Sequence, residues 1–391
     1  MSGSAPSAHA ELRPRSSVRT FEYELPTRIV GGPGVITRLP EELAKYGVSK
    51  PLVVTDAGVK AAGILDNLLQ HLPGGPEAVT IFDAIEPDPT IESVETIAEM
   101  VQRGGHDVVI GLGGGSALDA TKAAAATAAA NRPVTELVGI EKVNTSPITV
   151  FAIPTTAGTG SEVTRFCVLS DRSSHRKVSI SSMRVMPELA LLDPELTTGL
   201  PQTMTAATGF DALAHAVESY GSVWNNPISE GLARHAVSLI GTHLRNAVAD
   251  PRNMQARMGM LAASCIAELA ANWTRLGLAH ALAVPLGARH SIPHGIAVAL
   301  MLPEMCAFNE EAEPQRYAEL VSCLDSNETS FSDAIRSLRQ DVALTTRLGD
   351  WNVTEEDFQP IVELAKGSDN AEANPRLAGD SELTSLLRAA L

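Results

Sequence analysis

The stretch HDVVIGLGGGSALDATKAAAA, residues 106–126, joins a short apolar run to an alanine-rich run through three consecutive glycines. Its first part has the β-branched composition of a buried strand, and its last part has the apolar spacing of a helix. Glycine permits positive φ, and a helix N-terminus presents unpaired N–H groups and a positive dipole. The stretch therefore predicts a strand–turn–helix unit that binds a diphosphate, with an unliganded tight turn as the alternative. Its spacing is neither GxGxxG nor that of a P-loop, so a standard Rossmann motif is not indicated.

Similar units surround this one throughout the first half of the chain. The strand-like runs are PLVVT (51–55), AVTIFD (78–83), DVVIGLGGG (107–115), TVFAIPTT (149–156) and ELALLD (188–193). Between them, residues 57–71, 90–103 and 116–130 have apolar residues at helical spacing. This alternation predicts right-handed crossovers and a mostly parallel sheet with helices on both faces.

The second half of the chain has a different pattern from Pro201 onward. Apolar residues recur there at intervals of three and four, and no strand-like runs remain. The predicted helical segments are 207–220, 228–248, 253–271, 295–308, 312–324 and 329–345. The turn DPELTTGLP, residues 193–201, contains two prolines and a glycine and is the predicted boundary.

These patterns divide the chain into three parts. The opening residues are small, polar and proline-bearing, which is typical of a disordered tail. We predict a disordered tail over 1–20, an α/β dinucleotide-binding domain over 21–199 and an all-α metal-binding domain over 200–391. A chain of 391 residues is long enough for two hydrophobic cores.

Composition excludes several classes of partner. The net charge of −16 argues against nucleic acid, which requires clustered Lys and Arg. No stretch approaches the eighteen or more apolar residues of a membrane span. Four cysteines lie far apart with no CxxC pair, as expected for reduced thiols in a cytoplasmic protein.

The second half contains four candidate metal ligands. Asp211 and His215 are four residues apart, so on a helix they project from the same face. His280 and His294 are separated by Pro285–Gly287, where we expect the helix to break and the chain to turn back. One carboxylate and three imidazoles suit Fe(II) or Zn(II) rather than Ca or Mg. The alternative is a set of buried polar residues that cap or cross-link helices.

Further nucleotide contacts are expected outside the glycine stretch. Asp56 ends an early strand, where a carboxylate commonly binds a ribose hydroxyl and repels a 2′-phosphate, which favours NAD over NADP. Capping of the next helix is the alternative role of Asp56. The loop IPTTAGTGSEVT, residues 153–164, offers the hydroxyls of Thr155, Thr156 and Thr159 to a pyrophosphate or ribose, unless it is an ordinary capped loop.

Taken together, these motifs resemble the signatures of the iron-dependent (group III) alcohol dehydrogenase family, in the same order and over nearly the whole chain. The matching segments are GGGSALDATK (113–122), PTTAGTGSEVT (154–164), LLDPELTTGLP (191–201), TAATGFDALAHAVESY (205–220) and PHGIAVALMLP (293–303). The resemblance implies a dehydroquinate synthase-like architecture, in which a divalent metal lies between the α/β and helical domains. It also implies a homodimer or larger homo-oligomer.

The resemblance further implies roles for individual residues. The family's metal ligands map onto Asp211, His215, His280 and His294. Because they would hold the metal that acts on the substrate, these four residues are also expected to be catalytic. The family's nucleotide contacts map onto Asp56, Gly114, Gly115, Ser116, Asp119, Thr155, Thr156 and Lys177. The implied reaction is NAD(P)-linked interconversion of a small alcohol and its carbonyl, by hydride transfer with the metal as Lewis acid. The family also includes hydroxyacid–oxoacid transhydrogenases and maleylacetate reductases, which tend to lose some of these ligands.

Four positions near the expected substrate bear on catalysis or specificity. Val284 stands where the family often has a second histidine with a proton-transfer role, which raises the alternative of a nucleotide-binding protein without catalysis. His290 would replace it only if GARHSIPHG were helical, and we expect a loop there. Trp273 is predicted to line the substrate pocket and Arg165 to bind an anion; a core tryptophan and a solvated arginine are the alternatives.

Overall fold

The strands of the protein all lie in the first half of the chain. The computed structural model describes residues 20–173 and 176–391, so the tail predicted over 1–20 lies outside the described residues apart from Thr20. The strands are β1 (Arg28–Gly31), β2 (Pro51–Val54), β3 (Thr80–Phe82), β4 (Val108–Gly113), β5 (Gly139–Ile140), β6 (Thr149–Pro154), β7 (Phe166–Asp171), β8 (Arg176–Ser181) and β9 (Leu189–Leu192).

Six of these strands form one parallel sheet in the order β1-β9-β6-β4-β2-β3. The five strand-like runs predicted from the sequence are all in it, so the parallel α/β prediction is confirmed. A second sheet has the order β5-β8-β7, with β7 and β8 antiparallel. This smaller sheet was not predicted, because β8 is exposed over its first half and lacks a continuous apolar run.

The helices lie on the sheet and then make up the whole second half. Those of the first half are α1 (Leu39–Tyr46), α2 (Ala57–Ala61), α3 (Ile64–Gln70), α4 (Ile91–Gly104) and α5 (Gly115–Ala130). Those of the second half are α6 (Gln202–Gly221), α7 (Pro227–Ala249), α8 (Met254–Ala271), α9 (Leu278–His290), α10 (His294–Glu310), α11 (Pro314–Cys323), α12 (Phe331–Asp341), α13 (Phe358–Lys366), α14 (Asp369–Ala373) and α15 (Asp380–Ala390). Residues 201–391, all of them described, contain no strand, as predicted.

One predicted break is wrong. Helix α9 continues through Pro285 to His290, and the chain turns at Ser291, whose φ of 55° is left-handed. A proline inside a helix costs about 3 kcal/mol. Leu282 and Leu286 on either side of Pro285 are both fully buried, and burial of two leucines stabilises the helix by a comparable amount, about 1.5–3 kcal/mol each.

Adjacent strands bring together two loops of the first half: the first polar loop, which contains the glycines 113–115, and the second polar loop, residues 153–164. Gly113 at the end of β4 pairs with Pro154 at the end of β6 in a parallel register. The Thr155 backbone N–H donates to the Gly113 carbonyl at 3.0 Å, which ties the loops at their start. The carboxyl edge of a parallel sheet is where ligands bind in open α/β folds. The loops therefore share one crevice.

Separate cores underlie the two halves. One cluster of buried side chains lies wholly among the helices after residue 200, and two others lie on the faces of the large sheet. A smaller cluster, which includes Ala190 and Leu192 of β9 and Leu261 and Cys265 of α8, joins them. We accordingly propose domains over 21–199 and 200–391. Within the described ranges, no helix is long and apolar enough to cross a bilayer.

Candidate active site

Three helices bring the four predicted ligands into one cluster. Asp211 and His215 lie one turn apart on α6, and both are buried. His280 lies in the first turn of α9, and His294 is the first residue of α10. The imidazoles of His215 and His280 stack with centroids 4.8 Å apart and an angle of 15° between their planes. Residues far apart in sequence thus meet because α9 and α10 begin beside the middle of α6.

The distances to Asp211 suit a small cation. Asp211, His215 and His280 offer ligand atoms that all lie within 4.8 Å of one another, whereas the His294 side chain is half exposed and approaches this group at Asp211. The Nε2 atoms of His215, His280 and His294 lie 3.9, 3.4 and 3.5 Å from Asp211 Oδ1. Four atoms bound tetrahedrally at about 2.1 Å from one ion would lie about 3.4 Å apart. Asp211 Oδ1 and His280 Nε2 are buried and have no hydrogen-bond partner among the described residues. Because buried polar atoms rarely remain unpaired, these residues fit a bound divalent metal.

The charges of the cluster favour a cation as well. Burial alone would raise the pKa of Asp211, but the imidazoles of His215, His294 and His280 hold it well below its ordinary value. Burial lowers the pKa of His280, whereas Glu218 and Asp211 outweigh burial and raise that pKa to about 10. The carboxylate is therefore ionised at neutral pH and offers a negative charge to a bound cation.

Two buried carboxylates lie behind the imidazoles and were not predicted. Glu218 Oε2 is hydrogen-bonded to His280 Nδ1, and Glu268 Oε2 lies 3.2 Å from His215 Nδ1. A signal for Glu218 existed, because it follows His215 by three residues on the same helix. Nothing local marks Glu268, which comes from α8 and reaches His215 only through helix packing.

Glycines of the first polar loop lie where side chains would collide. Gly113 has a φ of 158°, and a Cβ there would lie 2.7 Å from the Ala117 Cβ. A Cβ on Gly115 would lie 2.8 Å from the Thr159 side chain of the second loop. Gly114 precedes the N-terminus of α5. The backbone of the loop is therefore bare at a helix N-terminus, the geometry that binds a diphosphate.

The other predicted nucleotide residues surround this turn, and several of them also have structural partners. Asp56 Oδ1 caps α2 by accepting from Gly58 N at 2.8 Å and Val59 N at 3.0 Å. Its Oδ2 would lie 3.2 Å from a Cβ on Gly113, so this second oxygen faces the glycine turn. Asp56 thus caps the helix and still lies at the crevice.

Asp119, Ser116 and Lys177 have partners within the protein. Asp119 accepts from Ser161 Oγ at 2.5 Å and from Val168 N at 2.9 Å, so its carboxylate ties α5 to the second loop. Ser116 Oγ accepts weakly from the Asp88 N–H at 3.4 Å. The Lys177 ammonium pairs with the Asp88 carboxylate.

The residues predicted near the substrate contact one another or solvent. The Arg165 guanidinium lies over the Phe166 and Trp273 rings, 5.6 and 5.7 Å from their centroids. It also lies 3.9 Å from a Glu141 oxygen, so Arg165 is neither solvated nor free. The Val284 side chain is 44% exposed, one turn after His280 on α9.

His290 is helical, contrary to the predicted loop. Its Nε2 lies 3.7 Å from Asp357 Oδ1, which directs the ring toward Asp357.

A parallel α/β half followed by a helical half is the dehydroquinate synthase-like architecture. The chain belongs to the iron-containing alcohol dehydrogenase family. The sequence profile described as "Iron-containing alcohol dehydrogenase" matches residues 26–194, and "Fe-containing alcohol dehydrogenase family, C-terminal" matches residues 205–391. The protein is therefore an oxidoreductase acting on CH–OH groups, in a family that uses NAD and a divalent metal.

Individual relatives cover almost the full length. The 1,3-propanediol dehydrogenase of Klebsiella pneumoniae is 37% identical over 385 residues, which is 96% of this chain and 100% of that protein. A crystal structure of 1,3-propanediol oxidoreductase has a TM-score of 0.91 at 37% identity, covering 95% of this chain and 100% of that one. The sulfoacetaldehyde reductase of Bifidobacterium kashiwanohense, solved in complex with NAD+, has a TM-score of 0.88 at 32% identity, covering 95% and 99%.

Proposed function

We propose that the protein is an NAD-linked, metal-dependent alcohol dehydrogenase or aldehyde reductase that acts on a small alcohol or carbonyl substrate. The observation that supports this best is the convergence of three imidazole Nε2 atoms within 3.9 Å of Asp211 Oδ1. We propose Asp211, His215, His280 and His294 as the ligands of one ion at this point.

The donor set suits Fe(II) or Zn(II). Imidazole binds both metals, and one carboxylate with three imidazoles is softer than the all-oxygen sets of Ca and Mg. Zinc generally binds such ligands more tightly than ferrous iron, so the metal found in a preparation depends on supply. Asp211 would neutralise part of the ion's charge, and a substrate oxygen would bind as a fifth ligand, since catalytic zinc sites can expand to five-coordinate.

The first half is proposed to bind the dinucleotide. The backbone N–H groups of Gly114, Gly115 and Ser116 and the N-terminal dipole of α5 would bind the diphosphate, with hydroxyls from Thr155, Thr156 and Thr159. Asp56 Oδ2 would accept from a ribose hydroxyl and repel a 2′-phosphate, which favours NAD. Asp119 and Lys177 are proposed to act at the edges of this site, Asp119 by holding the second loop against α5.

Residues from both halves would then orient the reactants for hydride transfer. When bound, the dinucleotide exchanges the hydride and the divalent ion polarises the substrate oxygen as a Lewis acid. The side chain at 284 cannot carry a proton, and it is 44% exposed. Water that reaches this surface of α9 is therefore proposed to exchange the proton of the alcohol.

The substrate class follows from the family and from two relatives. The names of those relatives refer to 1,3-propanediol and sulfoacetaldehyde, both of which are small and carry a second polar group. A small hydroxylated or anionic aldehyde is thus the substrate class to test first. We also propose a cytoplasmic homodimer or larger homo-oligomer, on the family resemblance.

The test is a screen of metal-loaded protein against short alcohols and aldehydes with NAD and NADP, before and after chelation. We expect NADH-dependent aldehyde reduction that chelation abolishes and Fe(II) or Zn(II) restores. Asp211→Asn should bind NADH normally but lose metal and turnover. Chelator-insensitive reduction of maleylacetate alone would indicate a maleylacetate reductase. NADH binding without turnover of any carbonyl would indicate a protein that has lost catalysis.

A further inference from the structure

Glu218 and Glu268 both face the proposed metal site from behind its imidazoles. The Glu218 side chain is fully buried, and that of Glu268 is 9% exposed. Each lies against the Nδ1 atom of one ligand, whereas the Nε2 atom of the same ring points toward Asp211. A buried carboxylate requires a partner, and here the partner is an imidazole in both cases.

Glu218 joins the ligand to the backbone that positions it. Its Oε1 accepts from the Ala279 N–H at 2.8 Å and the His280 N–H at 3.3 Å, at the N-terminus of α9. Its Oε2 bonds to His280 Nδ1. A Cβ on Gly277 would lie 2.9 Å from Glu218 Oε1, so the bare residue there lets the carboxylate reach the helix end. Glu218 thus fixes both the start of α9 and the rotation of the His280 ring.

Glu268 has fewer structural partners. Its Oε2 is buried without a hydrogen bond of good geometry among the described residues, although His215 Nδ1 is only 3.2 Å away. Gly160, at a φ of 55°, lies against it, because a Cβ on Gly160 would be 2.4 Å from the Glu268 Cβ. The loop 153–164 therefore packs on the aliphatic part of the Glu268 side chain, whose carboxylate faces a metal ligand.

We infer that Glu218 and Glu268 are positioning residues for the metal. Each holds the proton of its histidine on Nδ1, so that the Nε2 lone pairs of His280 and His215 point at the ion. A histidine whose second nitrogen donates to a carboxylate has a fixed tautomer and a more basic ligand atom. This inference rests on the proposed metal site.

The two residues should differ in what their removal does. Glu218 also caps α9, so its replacement should affect folding and metal binding together. The Glu268 side chain makes no hydrogen bond to backbone among the described residues, so its replacement should act mainly on the metal. Glu268 is therefore the better test of a positioning role.

The experiment measures the dissociation constant of Zn(II), by competition with a chromophoric chelator, for the full-length wild type, Glu268→Gln and Glu268→Met. Loss of such a partner typically weakens metal binding about 10–100-fold. We expect Met to weaken binding by that amount and Gln by less, because the Gln amide oxygen still accepts from Nδ1. With Co(II) in the site, the visible d–d bands should shift in Glu268→Met and return toward wild type in Glu268→Gln.

A matched control is Glu162→Gln, because Glu162 is also buried but has no imidazole partner among the described residues. It should leave the Zn(II) dissociation constant unchanged. If all Glu268 variants bind Zn(II) as the wild type does, with unchanged Co(II) spectra, the positioning role is wrong and the metal site stands. If the wild type itself binds no metal at Asp211, the proposed function fails first.

Discussion

Gly295 lies against the backbone of α6, so closely that a Cβ on Gly295 would be 2.5 Å from the carbonyl oxygen of Ala207. This contact lies next to His294 on α10, and on α6 it lies one turn before Asp211. The absence of a side chain at 295 therefore sets how closely two metal-binding helices approach. This close approach explains why the Asp211 carboxylate on α6 and the His294 imidazole on α10 meet.

Replacing Gly295 with Ala should push α10 away from α6 and move His294 out of range of Asp211. We expect a loss of Zn(II) affinity of at least about tenfold and a lower melting temperature, because the clash is with backbone that cannot rotate away. Gly231→Ala on α7 is the control, since a Cβ there meets nothing within 4 Å. That variant should keep its metal affinity and gain about 0.5–1 kcal/mol of stability. Equal metal affinity of the two variants would contradict the role of Gly295.

Replacing Asp56 with Asn should relax the preference for NAD. The Asn oxygen still caps α2, whereas the negative charge that would repel a 2′-phosphate is gone. We expect the ratio of kcat/KM for NAD over NADP to fall at least about tenfold, with little change in melting temperature. Asp56→Ala removes the cap as well and should cost about 1 kcal/mol of stability. An unchanged coenzyme ratio in Asp56→Asn would leave Asp56 with capping as its only role.

Replacing Val284 with His should add a titratable group one turn after His280. We expect a modest change in kcat and a shifted pH profile, because an imidazole can relay the proton that we assign to water. Val284→Gln provides a polar side chain that does not titrate and should keep the wild-type profile. A pH profile that is the same in all three proteins would mean that position 284 is outside the proton path.

Glu162 supplies a pH-dependent test of stability. Burial raises its pKa from the ordinary 4.5 to about 7, against the opposing effects of a backbone hydrogen bond and Lys122. The ionised form is thus disfavoured in the folded protein. Ionisation of Glu162 therefore does not change the free energy of unfolding below pH 4.5, lowers it progressively between pH 4.5 and pH 7, and lowers it by a constant amount above pH 7. Glu162→Gln should raise the unfolding free energy at pH 8 by on the order of 3 kcal/mol and change it little at pH 4.5. Urea titrations at the two pH values measure this difference. An equal change in unfolding free energy at both pH values would contradict the claim that burial raises the pKa of Glu162.

The parallel sheet could be predicted from the sequence because its strands are buried on both faces and form continuous apolar runs. In β2, β4 and β9, every residue is buried. The first strand, β1, was missed because it is only four residues long and has exposed ends. The β7–β8 pair was missed because polar and exposed residues interrupt its pattern.

The candidate ligands could be predicted from spacing on α6 and from the resemblance, but their geometry could not. Whether His280 and His294 approach Asp211 depends on contacts such as that of Gly295 with Ala207, which no local pattern encodes. Glu268 was missed for the same reason. The predicted break at Pro285 was wrong because tertiary burial of α9 outweighs the cost of proline within a helix.

The central claim is that one divalent ion binds among Asp211, His215, His280 and His294. X-ray data collected on either side of the zinc or iron absorption edge, from crystals grown with that metal, test it most directly. We predict a single anomalous peak about 2.0–2.2 Å from Asp211 Oδ1 and from each of the three Nε2 atoms. Well-occupied side chains with no anomalous peak among them, or a peak only elsewhere in the protein, would contradict the claim.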